Sequence, residues 1–144
     1  MKIYVIAAVI LMHFSAAING EETPARVKGV LGIINATAAE SGARVSGDII
    51  NSVQSLDFDA LELLAILSFN IYVYPYAGSD DDLKWLSLYS AAINRIGKET
   101  KNAKDAILTL RSIKRKLHLD GGESLIIEGL IERLEKQMKQ GTDM

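Results

Sequence analysis

Apolar residues recur every three or four positions from residue 23 to the C-terminus, and no stretch alternates strictly as a half-buried strand does. This spacing places the apolar side chains on one face of a helix, which must then pack against another helix. The polar connections between the apolar segments are short, and short connections favour antiparallel neighbours. The pattern therefore predicts an all-α fold, a compact antiparallel bundle of four to five helices.

The first predicted helix begins with Thr23 as its N-cap and Pro24 at the first helical position. Its buried stripe is Val27, Leu31, Ile34, Ala38, Val45 and Ile49. Glycines interrupt this pattern, so the helix is either broken near Ser41 and Gly42 or packed very close to a neighbour. We expect one helix with close packing and at most a kink.

The second predicted helix begins at Asp57 or Asp59, because Glu62 follows Asp59 by three residues in a capping-box pattern. Residues 61–73 are apolar almost all round, which predicts a central helix that its neighbours bury on most sides. This segment is shorter than the roughly 20 apolar residues that cross a bilayer. We therefore expect it to form the centre of the bundle.

Glycines set the remaining boundaries. A long helical pattern begins at the acidic residues 80–82, and we expect it to end at Gly97, with another helix from near Thr100 to Leu117. The alternative is a single helix across Gly97. A turn at residues 120–122 then precedes the last helix, over residues 125–138.

The first twenty residues have the order of a secretory signal: Lys2, an apolar run over residues 3–12, and small or polar residues over 15–20. The apolar run is too short to span a membrane, so a cleaved signal is favoured over an anchor. We expect a secreted, extracellular protein with a signal peptide over residues 1–20 and a single helical domain over residues 21–144, without membrane insertion.

The chain has no cysteine, and its predicted mature part keeps one histidine, His118, which precedes the glycine turn at a C-cap position. This composition excludes disulfides, thiol nucleophiles and Cys/His zinc sites. Neither a phosphate-binding glycine loop after a strand nor a calcium loop is present in the sequence. We expect no catalytic residues, no metal and no cofactor, which leaves binding as the predicted activity.

The net charge of −2 conceals an uneven distribution, because residues 95–118 contain eight basic and two acidic residues. This segment is either a solvated helix face or a steering patch for an acidic protein surface or an anionic polysaccharide. Nucleic acid is disfavoured because no aromatic residues are interleaved with the bases. The candidate contact residues in this segment are Arg111, Lys114, Arg115 and Lys116.

Two further features concern the surface. Tyr74 and Tyr76 flank Pro75, where they either anchor a partner or close the end of the bundle. Asn35, followed by Ala36 and Thr37, is a candidate glycosylation acceptor in an exported chain.

An exported, cysteine-free helical domain that opens with RVKGVLGII at residues 26–34 and carries a basic fourth helix resembles the anophensin and albicin group, small salivary proteins of blood-feeding anopheline mosquitoes. The likeness is spread over the mature chain. It implies a saliva protein that blocks a host plasma cascade, either the alternative complement convertase or the kallikrein-kinin contact system. The partner would then be a host plasma protein or protease complex. No individual residues carry over from the family.

Two functions from different classes fit these features. The first is a secreted helical protein that inhibits a host plasma cascade by protein-protein binding. The second is a secreted carrier of a lipid or other hydrophobic ligand, held in a cavity between the glycine-containing first helix and the apolar helix at residues 61–73.

Overall fold

The computed structural model describes residues 23–73 and 83–142 of the chain. These residues form six α-helices and no strand: α1 (Thr23–Ala39), α2 (Gly47–Gln54), α3 (Phe58–Val73), α4 (Leu83–Gly97), α5 (Ala103–Lys116) and α6 (Gly121–Thr142). The all-α prediction is confirmed. Six helices replace the expected four to five because the segment predicted as the first helix forms two. None of the described helices is long and apolar enough to cross a membrane.

The prediction of one continuous first helix is wrong. Gly42 adopts φ +107°, a left-handed conformation that interrupts a helix and that side-chain-bearing residues rarely adopt. Ser46 then caps α2, with its hydroxyl accepting a hydrogen bond from the Ile49 amide at 3.4 Å. Ala38, expected in the buried stripe, is exposed. Close packing is also wrong at Gly32, because a Cβ placed there would meet no atom within 4 Å.

Helices α3 and α4 form the central pair of the bundle. Asp57 is the N-cap of α3, because its carboxylate accepts a 2.8 Å hydrogen bond from the Ala60 amide. Of the two predicted starts, Asp57 is therefore the one observed. The largest fully buried side chains of the pair are Leu61, Leu64, Leu67, Ile71, Trp85, Leu88, Ile93 and Ile96. Burial on both sides of α3 confirms its predicted central position.

Two helical hairpins flank the central pair. Helices α1 and α2 contact each other and the central pair, and α5 and α6 do the same. The predicted break at Gly97 is confirmed, since α4 ends there and α5 begins at Ala103. A Cβ on Gly97 would lie 2.8 Å from Cδ2 of Leu130, so glycine allows α6 to approach the end of α4 closely.

A buried lysine joins α4 to the end of α1. The Lys84 side chain is only 7% exposed, and its ammonium donates hydrogen bonds to the carbonyl oxygens of Glu40 at 2.7 Å and Ala38 at 3.4 Å. No basic residue occupies the last turn of α1 itself. Lys84 therefore supplies the cation that a helix C-terminus favours, and it satisfies carbonyls left without partners inside α1.

Helix α5 ends with a Schellman motif at His118. The His118 amide donates to the Arg115 carbonyl at 3.2 Å, and the Leu119 amide donates to the Lys114 carbonyl at 3.1 Å. His118 itself has φ +52°, in the position that glycine usually takes. The structure thus places His118 at the end of the helix, as predicted. Helix α6 begins at Gly121, four residues earlier than expected, and ends at Thr142.

A candidate binding surface on α5

The four basic residues predicted to contact a partner all lie in the last two turns of α5. Cations are favoured in this position because the helix dipole places partial negative charge at the C-terminus. The structure brings Arg111, Lys114, Arg115 and Lys116 onto one helix but distributes them around its circumference. Their partners within the molecule therefore differ.

Two of these residues connect α5 to α6. The Lys114 ammonium lies 2.7 Å from Oε1 of Glu128, and the Arg111 guanidinium lies 3.3 Å from Oε1 of Glu135. Both pairs are partly exposed, so each contributes modestly to stability. These cations are already compensated by carboxylates of the same chain.

Lys116 faces the other side of α5, towards α3. Its ammonium lies 3.0 Å from Oε1 of Glu62, and the hydroxyl of Ser112 donates to the same carboxylate oxygen. The Glu62 side chain is 17% exposed, so this carboxylate is largely withdrawn from solvent. Glu62, predicted to complete a capping box with Asp59, instead joins α3 to α5.

The outward face of α5 carries cations that remain uncompensated. Arg115 and Lys104 are exposed, and neither forms an ion pair with any described residue. Leu108 lies between them and is 55% exposed. Because Lys104, Leu108, Arg111 and Arg115 follow one another at spacings of four, three and four residues, they lie along one helix face. We call these four residues the α5 stripe.

Two members of the stripe, Lys104 and Leu108, are not among the contact residues predicted from the sequence, and Leu108 is the apolar one. The buried register of α5 is Ala103, Ala106, Ile107, Leu110 and Ile113. Leu108 falls outside this register, on the face that Lys104 and Arg115 share. Periodicity alone would have placed it at the surface, where a leucine between two bases is a candidate for an apolar contact.

The other predicted surface residues are placed as follows. Tyr74 and Tyr76 lie outside the described residues. The Asn35 side chain is exposed on α1, whereas Thr37 is buried and its hydroxyl donates to the Ile33 carbonyl at 2.8 Å. Among residues 23–73 and 83–142, no group of three or more acidic or histidine side chains is arranged to hold a metal ion.

Among the residues that the structure describes, three titratable groups have shifted pKa values. Burial raises the pKa of Tyr89 to about 12, and the nearby charge of Glu123 adds to this shift. Partial burial raises the pKa of Asp57, but the hydrogen bond from the Ala60 amide and the Arg26 guanidinium outweigh it and hold the pKa below 3.8. The pKa of Glu99 is lowered, mainly because its carboxylate accepts a hydrogen bond from the Lys101 amide. None of the three belongs to the α5 stripe.

The fold and the α5 stripe define a small helical bundle with an exposed cationic and apolar surface. No family model, no curated protein and no solved structure matches the chain. The stripe combines guanidinium and ammonium groups, which attract carboxylates or sulfates, with a leucine that offers apolar contact area.

Proposed function

We propose that the protein is a secreted binding protein whose α5 stripe docks on an acidic surface of another protein. The observation that carries the proposal is that Arg115 and Lys104 flank the exposed Leu108 and have no carboxylate partner within the described residues. Uncompensated cations speed the encounter with an acidic surface, and they need not first release an internal partner.

The residues of the stripe are expected to contribute unequally to the binding energy. Arginine is enriched among residues that dominate binding energy, because its planar guanidinium can pair with a carboxylate through two hydrogen bonds. Arg115 is therefore the main anchor. Arg111 contributes less, because a partner must compete with Glu135 for its guanidinium. Leu108 supplies apolar area at the centre of the contact.

The target class rests on the resemblance to anopheline salivary proteins. We propose that the partner is a host plasma protein or protease complex, and that occupying its surface inhibits either the alternative complement convertase or kallikrein-kinin contact activation. Inhibition of this kind requires shape and charge and no chemistry of the inhibitor's own. A sulfated polysaccharide would use the same cations but would gain nothing from Leu108.

The test compares charge reversal inside and outside the stripe. Arg115→Glu and Arg44→Glu change the net charge equally, and both arginines are exposed without an ion pair to a described residue. The wild type and both variants are assayed for inhibition of alternative-pathway complement activation and of kallikrein generation in plasma. We expect inhibition of one cascade by the wild type, a loss of about tenfold or more in potency for Arg115→Glu, and wild-type potency for Arg44→Glu.

A second pair of variants separates a protein partner from a polysaccharide. Leu108→Ser and Leu125→Ser each remove an exposed leucine from a helix, the first inside the stripe and the second on α6, where Leu125 is 72% exposed. Lower potency for Leu108→Ser alone supports protein docking. Equal potency of the two variants, with inhibition abolished by added heparin, would assign the stripe to an anionic polysaccharide instead.

A further inference from the structure

A groove with a volume of about 410 Å³ lies between α1 and α2, away from α5. The two helices run antiparallel along it, so the groove extends from Lys28 and Ser55 at one end to Ala36 and Asp48 at the other. Lys28 and Ala36 are eight positions apart on α1, which corresponds to a length of about 12 Å. Its volume is within the range of about 300–1,000 Å³ that is usual for ligand sites. The space between α1 and α3, where the sequence predicts the cavity of a carrier, is instead filled by buried side chains of both helices, among them Ile34 and Leu64.

Two glycines of α1 line this groove, and at neither position does close packing require a glycine. A Cβ on Gly32 would meet nothing within 4 Å, and a Cβ on Gly29 would make only an ordinary contact with Leu56, at 3.7 Å. Glycine is among the least favourable residues in a helix interior, so neither residue stabilises α1. What the two glycines do is leave the helix backbone bare and the groove open.

The remaining lining gives the groove an apolar character. Ile33 and Ile49 are buried beneath it, and Leu56 is half-buried at its side. The two serine hydroxyls on α2 already donate to carbonyls of their own helix, Ser52 to Asp48 at 3.1 Å and Ser55 to Ser52 at 2.9 Å. Neither hydroxyl proton is therefore left for a polar ligand. A surface of this kind suits an alkyl chain, which needs area and no directional partners.

The charges at the two ends of the groove determine which headgroup fits. Lys28 is exposed and forms no ion pair with a described residue. Asp48 lies in the first turn of α2, where the positive end of the helix dipole already compensates its charge. Lys28 lies in the N-terminal half of α1, where the dipole gives no such compensation. The positive charge of Lys28 is therefore the uncompensated charge at the groove, and it attracts an anion to that end.

We propose that the groove between α1 and α2 binds a single-chain amphiphile with an anionic headgroup, with the headgroup at Lys28 and the alkyl chain lying over Gly32 towards Asp48. This inference is independent of the proposed function of α5, because the groove and the stripe share no residue. Fatty-acid-type carboxylates are the simplest ligands of this chemistry.

The first test fills the groove. Dodecanoate, below its micelle concentration, is titrated by calorimetry into the purified wild type, Gly32→Leu and Gly129→Leu. Gly129 is the matched control, since it is an exposed glycine in the interior of α6 and a Cβ there would also meet nothing within 4 Å. We expect one dodecanoate per wild-type chain, binding weakened by about tenfold or more in Gly32→Leu, and unchanged binding in Gly129→Leu. Failure of the wild type to bind, or equal binding by Gly32→Leu, would overturn the proposal.

The second test reverses the headgroup site. In Lys28→Glu, dodecanoate should bind about tenfold more weakly, whereas dodecyltrimethylammonium, which has the same alkyl chain and the opposite charge, should bind more tightly. Equal binding of the two amphiphiles to the wild type would contradict the assigned headgroup. If dodecanoate does not bind and Gly32→Leu instead loses inhibition in plasma, the groove is a protein contact and the amphiphile is excluded. Arg115→Glu should bind dodecanoate as the wild type does, which keeps this result separate from the test of α5.

Discussion

The ammonium of Lys114 lies 2.7 Å from a carboxylate oxygen of Glu128, so a residue predicted to contact a partner also joins α5 to α6. We expect Lys114→Ala to lower the free energy of unfolding by no more than about 1 kcal/mol, because both side chains are partly exposed and solvent screens the pair. A double-mutant cycle with Glu128→Ala, followed by urea denaturation, measures the coupling. A coupling well above 1 kcal/mol would show that the pair is a major support of the α5–α6 hairpin.

The contact between Gly97 and Leu130 predicts an unusual response to alanine. Gly97→Ala should destabilise the protein by about 1–3 kcal/mol, because the added Cβ would lie 2.8 Å from Cδ2 of Leu130. In a Leu130→Ala background the same substitution should be neutral or stabilising, since the opposing atoms are gone. Gly129→Ala is the control and should stabilise by up to about 1 kcal/mol, as alanine does at an open helical site. Stabilisation by Gly97→Ala in the wild-type background would contradict the close approach of α6.

Asp57 caps α3 and pairs with Arg26, and the two roles can be separated. Asp57→Ala should cost about 1 kcal/mol, the usual loss for an N-cap, whereas Asp57→Asn should cost less at neutral pH because asparagine also caps. The pKa of Asp57 is lowered in the fold, so its stabilisation is present above its ordinary value of 3.8 and is lost as the pH falls through the lower folded value. As the pH is lowered below 3.8, the free energy of unfolding should therefore fall less steeply for Asp57→Asn than for the wild type. If the free energies of unfolding of the two proteins fall in parallel at acid pH, Asp57 does not have this role.

The ionisation of Tyr89 should lower the free energy of unfolding at alkaline pH. Its pKa is raised to about 12 in the fold, so its contribution is fully present below the ordinary value of 10 and is lost as the pH rises towards 12. Tyr89→Phe keeps the ring contact with Phe69, whose centroid lies 5.0 Å away, and removes the ionisable hydroxyl. The free energies of unfolding of the two proteins should therefore diverge between pH 10 and pH 12, with Tyr89→Phe the more stable. Identical alkaline profiles would show that Tyr89 ionises as readily in the folded state as in the unfolded state.

Boundaries that depend on local signals could be predicted from the sequence. Asp57 caps α3 through a side chain three residues from its partner amide, and Gly97 ends α4 as glycines commonly end helices. The break between α1 and α2 is one of the two alternatives that the sequence offers, but continuous spacing favours the other. Val45 and Ile49 continue the apolar spacing of α1 and are buried, although Val45 lies in the connection and Ile49 in α2. The spacing of apolar residues predicts which side chains are buried, but it does not predict the positive φ of Gly42 that separates the two helices.

Only part of the candidate surface could be predicted from the sequence, because the carboxylates that pair with its cations lie far from them along the chain. The cations of α5 are visible in the sequence, but the carboxylates that compensate them come from 14 residues away for Lys114 and 24 for Arg111. Glu62, on α3, is farther still from Lys116. No local pattern shows which cation meets which carboxylate once the helices pack. Arg115 therefore differs from its neighbours only in the folded structure.

Affinity capture from vertebrate plasma tests the role of the α5 stripe most directly. Immobilised wild type, Arg115→Glu and Arg44→Glu are exposed to the same plasma at low and at high ionic strength, and the retained proteins are identified. The stripe predicts that the wild type and Arg44→Glu retain the same plasma component of the inhibited cascade, that high salt releases it, and that Arg115→Glu does not retain it. Retention of that component by Arg115→Glu as strongly as by the wild type, or of no plasma protein by the wild type at low salt, would contradict it.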